Sequence, residues 1–458
     1  MSLGHKDAVQ LLAKHDRPVP RYTSYPPANH FHSGVGACEH GNALEQLEPG
    51  AKLSLYVHVP FCEHRCTYCA CFVVPTRRRS IAEEYLEHVT LEAEQAAARL
   101  GEKARVAAVH VGGGTPTYLD PGQLEILFDA LRRSFPVEGT AEVSVEIDPR
   151  VTTPDHLDAL RRCGVNRVSL GVQDTSDEVQ RAIGRLQSRD ETVRFYELCR
   201  ERGFESINID LVYGLPHQTR QRFERTLTDV FDLRPERLSI FGYAHVPSMR
   251  PNQRAIDAAS LPGPEERLDL WALAHETATA RGYEHIGLDH FAFPQDDLVR
   301  ARKEGRLSRS FMGYTPHGDL KVVGLGVSSV SDLGRGYFQN LKKLSEYFER
   351  LERGELPVER GWLLSEDDVR RRHVIHEILC ALRVDAEAFK ARFGASFEAS
   401  FPSELERLAD FQRDGHVRIS SQGLEVEPQG RVLLRNIASV FDAYLQRGEQ
   451  APIYSRAV

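Results

Sequence analysis

The chain has 458 residues, of which 41% are hydrophobic and 27% are charged, and its formal net charge is -8. This length accommodates one large domain and a smaller one with a sizeable core, whereas the acidic balance argues against a nucleic-acid partner. No apolar run is long enough for a membrane span, and the amino terminus MSLGHKDAVQ has no apolar signal core. We therefore expect a soluble, cytoplasmic, monomeric protein with no membrane or nucleic-acid partner.

Residues 1–50 are predicted to form an N-terminal strap. Within it, the stretch PRYTSYPPANHFH at 20–32 contains three prolines and cannot be a helix interior, so we expect an extended arm over another part of the chain. Its tyrosines could serve packing or a ligand. Aromatic side chains in an arm mostly supply burial, which favours a packed arm.

The next segment, residues 53–72, has the sequence LSLYVHVPFCEHRCTYCACF. Alternating apolar residues at 53–59 predict a buried strand that stops at Pro60, and the loop that follows holds four cysteines. Cys62, Cys66 and Cys69 form C-x3-C-x2-C, with Cys71 two residues further on. Three thiolates leave one iron of a 4Fe-4S cluster without a protein ligand, so an amino acid that offers an amine and a carboxylate can chelate that iron.

Two other structures of this cysteine loop stay open. The four cysteines could form a structural zinc site, but such sites usually combine C-x2-C with a second, distant pair, and the sequence has none. A disulfide framework is the least favoured interpretation, because nothing in the sequence indicates export. An iron–sulfur cluster is the most favoured.

Downstream of the cysteine loop, predicted helices and strands alternate regularly. Apolar residues at helical spacing predict helices at 81–100, 120–134, 154–163, 192–202, 222–233 and 265–281. Strands are predicted at 106–111, 141–147, 166–172, 206–212, 237–243 and 284–288. Such alternation predicts an α/β fold with a parallel sheet, and about seven units favour an open β/α barrel over residues 51–300.

Residues 301–360 are predicted to be a Gly-rich connection associated with the barrel, and residues 361–458 a mostly helical C-terminal domain. In that domain we predict helices at 367–382, 403–412 and 431–445, and a hairpin at 414–430. Helices with a hairpin are typical of a winged helix, which could bind DNA. This segment carries 13 Lys and Arg against 15 Asp and Glu, so we interpret it as a lid or packing element.

The segments that end the strands of a β/α barrel meet at one rim, where its sites are built. Here they are VGGGTP, EIDP, GVQD, IDLVYGLP and GYAHVP, which begin at residues 111, 146, 171, 209 and 242. Glycines allow close approach of the main chain, whose N–H groups can receive a carboxylate. A single acidic residue at a strand end is as often a helix cap, but the convergence of Glu146, Gln173 and Asp210 favours a ligand site.

A series of motifs now points to a known family. The C-x3-C-x2-C loop resembles that of radical S-adenosylmethionine (SAM) enzymes. The whole series resembles, in the same order, the oxygen-independent coproporphyrinogen III oxidases. The motifs are PRYTSYPP, YVHVPFCEHRCTYCAC, VGGGTPTYL, VEIDPR, LGVQD, NIDLVYGLPHQT, FGYAHVP, GLDHFA, FMGYTPHGD, GVSSVS and RNIASVFDAYL.

The resemblance implies a six-stranded, three-quarter barrel, one 4Fe-4S cluster held by Cys62, Cys66 and Cys69, and two SAM molecules. The first SAM is implied to lie near Tyr56, Gly113, Glu146 and Val330. The second is implied to lie near Tyr68, Gly114, Thr115, Gln173, Arg185, Asp210 and Ala244.

The chemistry that the resemblance implies begins with reductive cleavage of SAM. The resulting 5′-deoxyadenosyl radical starts the oxidative decarboxylation of two propionates of coproporphyrinogen III, giving the vinyl groups of protoporphyrinogen IX in haem biosynthesis. An electron donor protein is implied, because the cluster must be reduced. The cofactors carry the difficult chemistry, and the protein positions them and excludes competing reactions.

Some positions depart from the family pattern. The family usually has a phenylalanine, a glycine, a small polar residue and a glutamine where this chain has Tyr68, Ala70, Phe72 and Met312. These changes remove no cluster ligand, but they keep open a paralogue such as a radical SAM methyltransferase or a haem-degrading enzyme. The related haem chaperone is a further alternative, although it generally lacks both the strap and a cysteine at the position of Cys71.

The arginine run at 77–79 lies close to the cysteine loop in sequence. It could bind the carboxylates of a porphyrinogen, since guanidinium groups match carboxylate geometry. A solvated charge run is the favoured interpretation.

Overall fold

The computed structural model describes residues 14–318, 320–445 and 454–456. Up to residue 363 its strands of three or more residues are β1 (Ala51–Val59), β2 (Ala104–Gly113), β3 (Val137–Ile147), β4 (Arg167–Gln173), β5 (Ser206–Tyr213), β6 (Arg237–Gly242), β7 (Glu284–Gly287), β8 (His290–Ala292), β9 (Ser308–Ser310), β10 (Gly313–Thr315), β11 (Lys321–Leu325), β12 (Val330–Asp332), β13 (Gly336–Asn340) and β14 (Val358–Leu363). Twelve strands of the described chain form one sheet, in the order β14-β13-β12-β11-β1-β2-β3-β4-β5-β6-β8-β7. Strands β9 and β10 pair separately as a hairpin.

The central strands of this sheet are parallel. Strands β1 to β6 pair with one another in sequence order, and β11 adds a further parallel neighbour to β1. These six consecutive strands confirm the predicted β/α fold. In β1, Leu53, Leu55 and Val57 are at most 1% exposed and pack in the main core, whereas Ser54 and Tyr56 face a cavity on the opposite side of the sheet.

Helices connect the parallel strands and cover their outer face. They are α1 (Ala37–Glu45), α2 (Ser80–Leu100), α3 (Pro121–Ser134), α4 (Pro154–Arg162), α5 (Asp177–Ile183), α6 (Arg189–Glu201), α7 (Arg220–Asp232), α8 (Pro264–Ala280), α9 (Asp297–Lys303) and α10 (Leu344–Glu352). Asp120, Thr153 and Ser188 cap α3, α4 and α6 by accepting a hydrogen bond from the N–H three residues on. Each such cap contributes about 1 kcal/mol to helix stability, so local sequence defines these boundaries.

The predicted strand at 284–288 exists as β7, but it does not pair with β6. The unpredicted strand β8 lies between them and is antiparallel to both. The reason is the short connection between β7 and β8, since only antiparallel neighbours can be joined by a tight turn. The regular β/α alternation therefore ends at β6, which agrees with the six strands that the family resemblance implies.

The segment 301–360, predicted as a connection, contributes strands to the sheet. Strands β11 to β13 and the following β14 extend it beyond β1, with antiparallel pairing from β11 outwards. The β9–β10 hairpin, in contrast, lies over the cavity, where residues 309–315 form part of the wall.

The C-terminal segment combines short helices with a small sheet. Its elements are α11 (Glu366–Ala381), β15 (Arg383–Asp385), α12 (Ala386–Phe393), α13 (Phe397–Ser400), α14 (Pro402–Arg407), α15 (Ala409–Arg413), β16 (Val417–Ser420), β17 (Gly423–Val426) and α16 (Leu434–Ser439). Strands β16 and β17 confirm the predicted hairpin, and β15 adds a third, unpredicted antiparallel strand.

Two C-terminal helices are shorter than predicted. The helix predicted at 403–412 is divided into α14 and α15. The helix predicted at 431–445 is α-helical only at Leu434–Ser439, because the Asp442 carboxylate accepts hydrogen bonds from the N–H groups of Tyr444 and Leu445 and so stabilises a turn there. No helix in the described ranges has both the length and the apolarity to cross a membrane.

The described part of the strap, from residue 14, lies between the C-terminal segment and the barrel; residues 1–13 are outside the described ranges. Tyr22 and Tyr25 are 6% and 2% exposed, as a packed arm requires. The Tyr22 hydroxyl donates to Asp442 at 2.9 Å, and the Tyr25 hydroxyl accepts from the Ala443 N–H at 3.1 Å. The strap is therefore fixed by buried tyrosines on one side.

Candidate active site

A cavity of about 800 Å³ opens at the carboxyl ends of the parallel strands. The cysteine loop, the glycine run after β2 and the polar groups that end β3, β4 and β5 all belong to its wall. The predicted site residues found in this wall are Tyr56, Cys62, Cys66, Tyr68, Cys69, Gly113, Gly114, Thr115, Glu146, Gln173, Arg185, Asp210 and Ala244. Segments up to 190 residues apart in sequence thus converge as the rim rule predicts.

Val330 is the predicted site residue that the structure does not bring to the cavity wall. Its side chain packs with Phe31, Tyr337 and Leu364 in a small separate cluster. Its backbone lies against Gly324, where a Cβ atom would be 2.8 Å from the Val330 carbonyl, and Gly324 is paired with Tyr56. Val330 thus lies on β12, two strands away from β1 and Tyr56, and its role in binding SAM stays a prediction.

The cysteine loop is held from two sides. On one side, Thr67 donates through its backbone N–H to Ile183 O at 3.0 Å and through its hydroxyl to Ala182 O at 3.1 Å, at the end of α5. On the other, the side-chain amide of Asn252 lies 2.9 to 3.2 Å from the carbonyl oxygens of Cys66, Thr67 and Cys69.

Gln253 completes this support. Its amide donates to the carbonyls of Tyr68 and Ala244, each at 3.0 Å, and its oxygen accepts from the Val246 N–H at 2.6 Å. Asn252 and Gln253 thereby fix four carbonyls of the cysteine loop and join it to the segment after β6. Sequence analysis missed both residues, because an NQ pair in a loop carries no pattern that indicates this contact.

The glycine run brings backbone into contact with the start of the cysteine loop. The Gly114 N–H donates to Val59 O and the Thr115 N–H to Phe61 O, both at 2.8 Å. A Cβ atom on Gly114 would lie 2.7 Å from the carbonyl oxygens of Pro60 and Phe61, closer than real Cβ contacts. Glycine is therefore required at 114, and it brings the Thr115 hydroxyl to 3.3 Å from the Cys62 sulfur.

Glu146 is held ionised beside this run. It accepts a hydrogen bond from the Gly113 N–H at 3.0 Å and lies 3.3 Å from His110 Nε2, while His110 Nδ1 contacts the Ser144 hydroxyl at 2.7 Å. Burial alone would raise its pKa, but the His110 and Gly113 contacts outweigh burial and lower the pKa of Glu146 below its ordinary value. An ionised carboxylate at this position can accept hydrogen bonds from the amino group of a ligand.

Arg185 and Asp148 form a buried ion pair near Gln173. Arg185 donates to the Asp148 carboxylate at 2.9 Å and to Gly171 O at 2.6 Å. Burial raises the pKa of Asp148, but Arg185 and Arg150 together lower it to about 2. Arg185 is only 7% exposed, and it lines the cavity rather than the outer surface.

Asp210 lies deeper in the barrel and behaves differently from Glu146. Ser169 and the Asn208 amide donate to its two carboxylate oxygens at 2.9 and 2.8 Å. Burial, followed by the charge of Glu146, outweighs these bonds and raises its pKa to about 6. The two carboxylates on this rim therefore ionise at different pH.

The opposite wall of the cavity is cationic. It contains Arg21 from the strap and Arg309 from the β9–β10 hairpin. Arg21 donates to Gly242 O at 2.6 Å, and the Arg309 guanidinium lies 5.0 Å from the Tyr314 ring centre. The Nε of Arg309 is buried without a hydrogen-bond partner among the described residues. Sequence analysis missed both arginines, because neither follows a barrel strand.

The arginine run at 77–79 is exposed and does not line the cavity except through Arg79. The Arg79 guanidinium pairs with Glu63 at 2.5 Å and lies over the Tyr118 ring. Its contacts are those of a surface residue that braces the cysteine loop.

The donors of the cysteine loop fit a 4Fe-4S cluster. Cys62, Cys66 and Cys69 line the same cavity, with Cys66 buried and the other two half-buried. A hydrogen bond from the Cys71 thiol lowers the pKa of Cys69 to about 6, which favours the thiolate that binds iron. Cys71 thus stabilises the thiolate of a proposed ligand cysteine, Cys69. The glycine run places backbone rather than side chains next to the loop.

Comparison with known proteins agrees with this geometry. Residues 56–230 match the Radical SAM superfamily model, and residues 364–433 match the HemN C-terminal domain model. The chain is 42% identical over 440 residues to the oxygen-independent coproporphyrinogen III oxidase of Pseudomonas aeruginosa, covering 95% of this chain and 96% of that one. The corresponding Salmonella typhimurium protein is 41% identical over 450 residues, with 98% of each chain covered.

A solved structure matches over nearly the whole fold. It is described as coproporphyrinogen III oxidase (HemN) from Escherichia coli, a radical SAM enzyme, and is 40% identical with a TM-score of 0.89, covering 94% of this chain and 100% of that one. Membership of the radical SAM superfamily implies a 4Fe-4S cluster and SAM, which excludes the zinc and disulfide alternatives for the cysteine loop. The chain belongs to the oxygen-independent coproporphyrinogen III oxidase family of radical SAM enzymes.

Proposed function

We propose that this protein converts coproporphyrinogen III to protoporphyrinogen IX without oxygen, using one 4Fe-4S cluster and two SAM molecules. The observation that carries the proposal is the single cavity that unites the cysteine triad, the strand-end polar residues and an opposing cationic wall. When bound and reduced, the cluster and SAM would supply 5′-deoxyadenosyl-radical chemistry at the β-carbon of a propionate. Loss of the β-hydrogen to that radical, of carbon dioxide, and of one electron to an external acceptor would leave a vinyl group.

Cys62, Cys66 and Cys69 would hold the cluster, and Glu146 and Gly113 would orient the first SAM. Glu146 is ionised over the working pH range, because its pKa is lowered below its ordinary value. It can therefore accept hydrogen bonds from an ammonium group. Tyr56 contributes an adjacent hydroxyl that lies 2.9 Å from His58 Nδ1. We also assign Val330 to this SAM, because its backbone lies against Gly324, the partner of Tyr56 on the neighbouring strand.

The second SAM would lie beside Tyr68, Gly114, Thr115, Gln173, Arg185, Asp210 and Ala244. In this group Arg185 is anchored by Asp148, so its guanidinium is a fixed cation next to Gln173. Tyr68 packs against Val179, Ile183 and Tyr243, so the tyrosine that replaces the usual phenylalanine keeps an apolar environment for its ring.

The substrate carries four carboxylates, and the cationic wall gives them a place to bind. Arg309 has an unpartnered buried N–H, and Arg21 is about one-third exposed toward the cavity. A guanidinium group can hold a carboxylate through two parallel hydrogen bonds. We propose that these two arginines bind propionates and thereby turn the reacting propionate toward the opposite wall.

Met312 lies in the same hairpin, between Arg309 and Tyr314 in sequence, and lines the cavity. It replaces the glutamine usual in the family with an apolar side chain.

The full-length relatives bear the oxidase name, which favours the oxidase over the chaperone and methyltransferase alternatives. We further propose a monomeric, cytoplasmic protein that receives electrons from a separate donor protein.

The test is an anaerobic reaction of the reconstituted protein with coproporphyrinogen III, SAM and a chemical reductant. We expect protoporphyrinogen IX, two carbon dioxide molecules and 5′-deoxyadenosine. A Cys66→Ala protein is the control and should give none of them. A methylated porphyrin, or stable haem binding without vinyl product, would overturn the proposal.

A further inference from the structure

A second group of potential metal ligands lies far from the cavity, where the start of the described chain meets the C-terminal segment. It consists of His15, Asp414 and His416, which are 399 positions or more apart across the two segments. One ligand atom from each residue lies within 4.8 Å of the other two. The closest pair is His15 Nε2 and Asp414 Oδ2, at 2.6 Å.

The burial of the His416 side chain is not explained by its contacts with other side chains. It is 2% exposed, and neither ring nitrogen has a hydrogen-bond partner of normal geometry among the described residues; the Gln429 backbone approaches the ring without reaching that geometry. An imidazole buried in this way loses the hydrogen bonds that it makes in water, which is costly unless another partner replaces them. A metal ion is such a partner.

The backbone presents His416 toward the group. Its N–H donates to Phe411 O at 2.8 Å and its carbonyl accepts from the Glu427 N–H at 2.9 Å, so its backbone is held at the entrance to β16. Gly415, with φ +77°, makes the turn between the two ligands Asp414 and His416. On the other side, the His15 ring stacks on Phe411 with centroids 4.1 Å apart.

The charges around the group are compatible with a cation. A neutral imidazole binds a metal through a ring nitrogen, and the Asp414 carboxylate supplies a negative charge beside the two rings. Lys14 contacts the same Asp414 oxygen at 2.6 Å, but its side chain is 48% exposed and can turn into solvent. A bound metal ion would replace Lys14 as the cation that contacts the Asp414 carboxylate.

We propose that His15, Asp414 and His416 bind one Zn²⁺ ion, with water as a fourth ligand. Two imidazoles and one carboxylate are a donor set that zinc accepts, at bond lengths of about 2.0–2.2 Å. The ion would join the start of the strap to the C-terminal domain. Since Arg21 lies six residues after His15, the same ion would hold in place the segment that carries a cavity arginine.

The experiment uses the holoprotein, with its iron–sulfur cluster intact so that the cluster cysteines are occupied. The protein is treated with a mild chelator, given two equivalents of zinc, passed through a desalting column, and analysed for iron and zinc by mass spectrometry. We expect one zinc per chain in the unchanged protein. Asp414→Asn and His416→Gln should each reduce retained zinc at least tenfold, with iron content unchanged.

The matched control is His40→Gln. His40 is also 2% exposed and its ring nitrogens also have no hydrogen-bond partner among the described residues, but it belongs to no group of three potential ligands there. This variant should retain zinc like the unchanged protein. Absence of zinc in the unchanged protein, or equal retention in Asp414→Asn, would overturn the proposal. Asp414 is only half-buried, so Asp414→Asn decides the question even if His416→Gln fails to fold.

Discussion

The two walls of the cavity are assembled in different ways. The wall that faces the cofactors comes from strand ends and the loops that follow them, between Tyr56 and Asp210, and each group is held by neighbours on adjacent strands. The opposite wall brings together Arg21 of the strap and the hairpin at 309–315, which are far apart in sequence. The cofactor wall follows from the barrel itself, whereas the arginine wall depends on elements laid over it.

This difference suggests that the two walls have different functions. Substitutions in the cofactor wall should affect SAM cleavage, and substitutions in the arginine wall should affect only the use of the porphyrinogen. The following experiments test that separation.

The largest effect is expected at the cluster ligands. Alanine at Cys62, Cys66 or Cys69 should abolish both 4Fe-4S incorporation and SAM cleavage, because each removes one of three iron ligands. Cys71→Ser should retain the cluster, since that residue contacts Cys69 rather than iron in our assignment. Anaerobic iron and sulfide analysis measures this. Cluster loss in Cys71→Ser together with a normal cluster in one of the other three would contradict the assignment.

On the arginine wall, Arg309→Ala should raise the KM for coproporphyrinogen III by about 10- to 100-fold, the effect of losing one charge-assisted hydrogen bond in a partly buried site. Formation of 5′-deoxyadenosine without substrate should not change. Arg335→Ala is the control, because the exposed Arg335 side chain pairs with Glu366 on the surface and does not line the cavity as described. A parallel loss of uncoupled SAM cleavage in Arg309→Ala would remove the distinction between the walls.

The raised pKa of Asp210 should make the free energy of unfolding depend on pH. Its pKa in the folded protein is about 6 against an ordinary 3.8, so its ionisation destabilises the fold increasingly as pH rises from about 4 and fully above about 6. The free energy of unfolding of Asp210→Asn minus that of the unchanged protein should therefore increase, in the stabilising direction, by about 1–3 kcal/mol between pH 4 and pH 8. Denaturant unfolding without SAM at the two pH values measures it.

A pH-independent difference would show that Asp210 has an ordinary pKa.

In the catalytic assay, Asp210→Ala should keep its cluster but lose turnover, because no iron ligand changes while SAM loses a positioning group. Full activity at saturating SAM would remove Asp210 from the site.

The smallest effect is expected from Asn252→Ala, which removes the amide that binds the carbonyls of Cys66, Thr67 and Cys69. Loss of one such group costs about 1–2 kcal/mol, so we expect roughly tenfold faster loss of the cluster in air or chelator. Asn166→Ala is the control, since its amide joins β3 and β4 away from the loop. Equal cluster lifetimes in the two variants would show that Asn252 does not support the cluster.

Family membership and the convergence of the strand-end residues on one cavity were predictable because their signals are local. The cysteine spacing, the glycines after a strand and the carboxylates at strand ends each lie within a few residues of the element that positions them. A parallel barrel then collects all strand ends at one rim, so Glu146, Gln173 and Asp210 converge without any knowledge of long-range contacts.

Only the tertiary structure decided where the remaining parts lie. The insertion of β8 between β6 and β7, the support of the cysteine loop by Asn252 and Gln253, and the arginine wall all join segments that have no shared period in sequence. The same holds for His15, which meets Asp414 across 399 positions. Local patterns report which face of an element is buried, but the partner of a polar side chain is set by packing between distant elements, and so it was visible only in the folded chain.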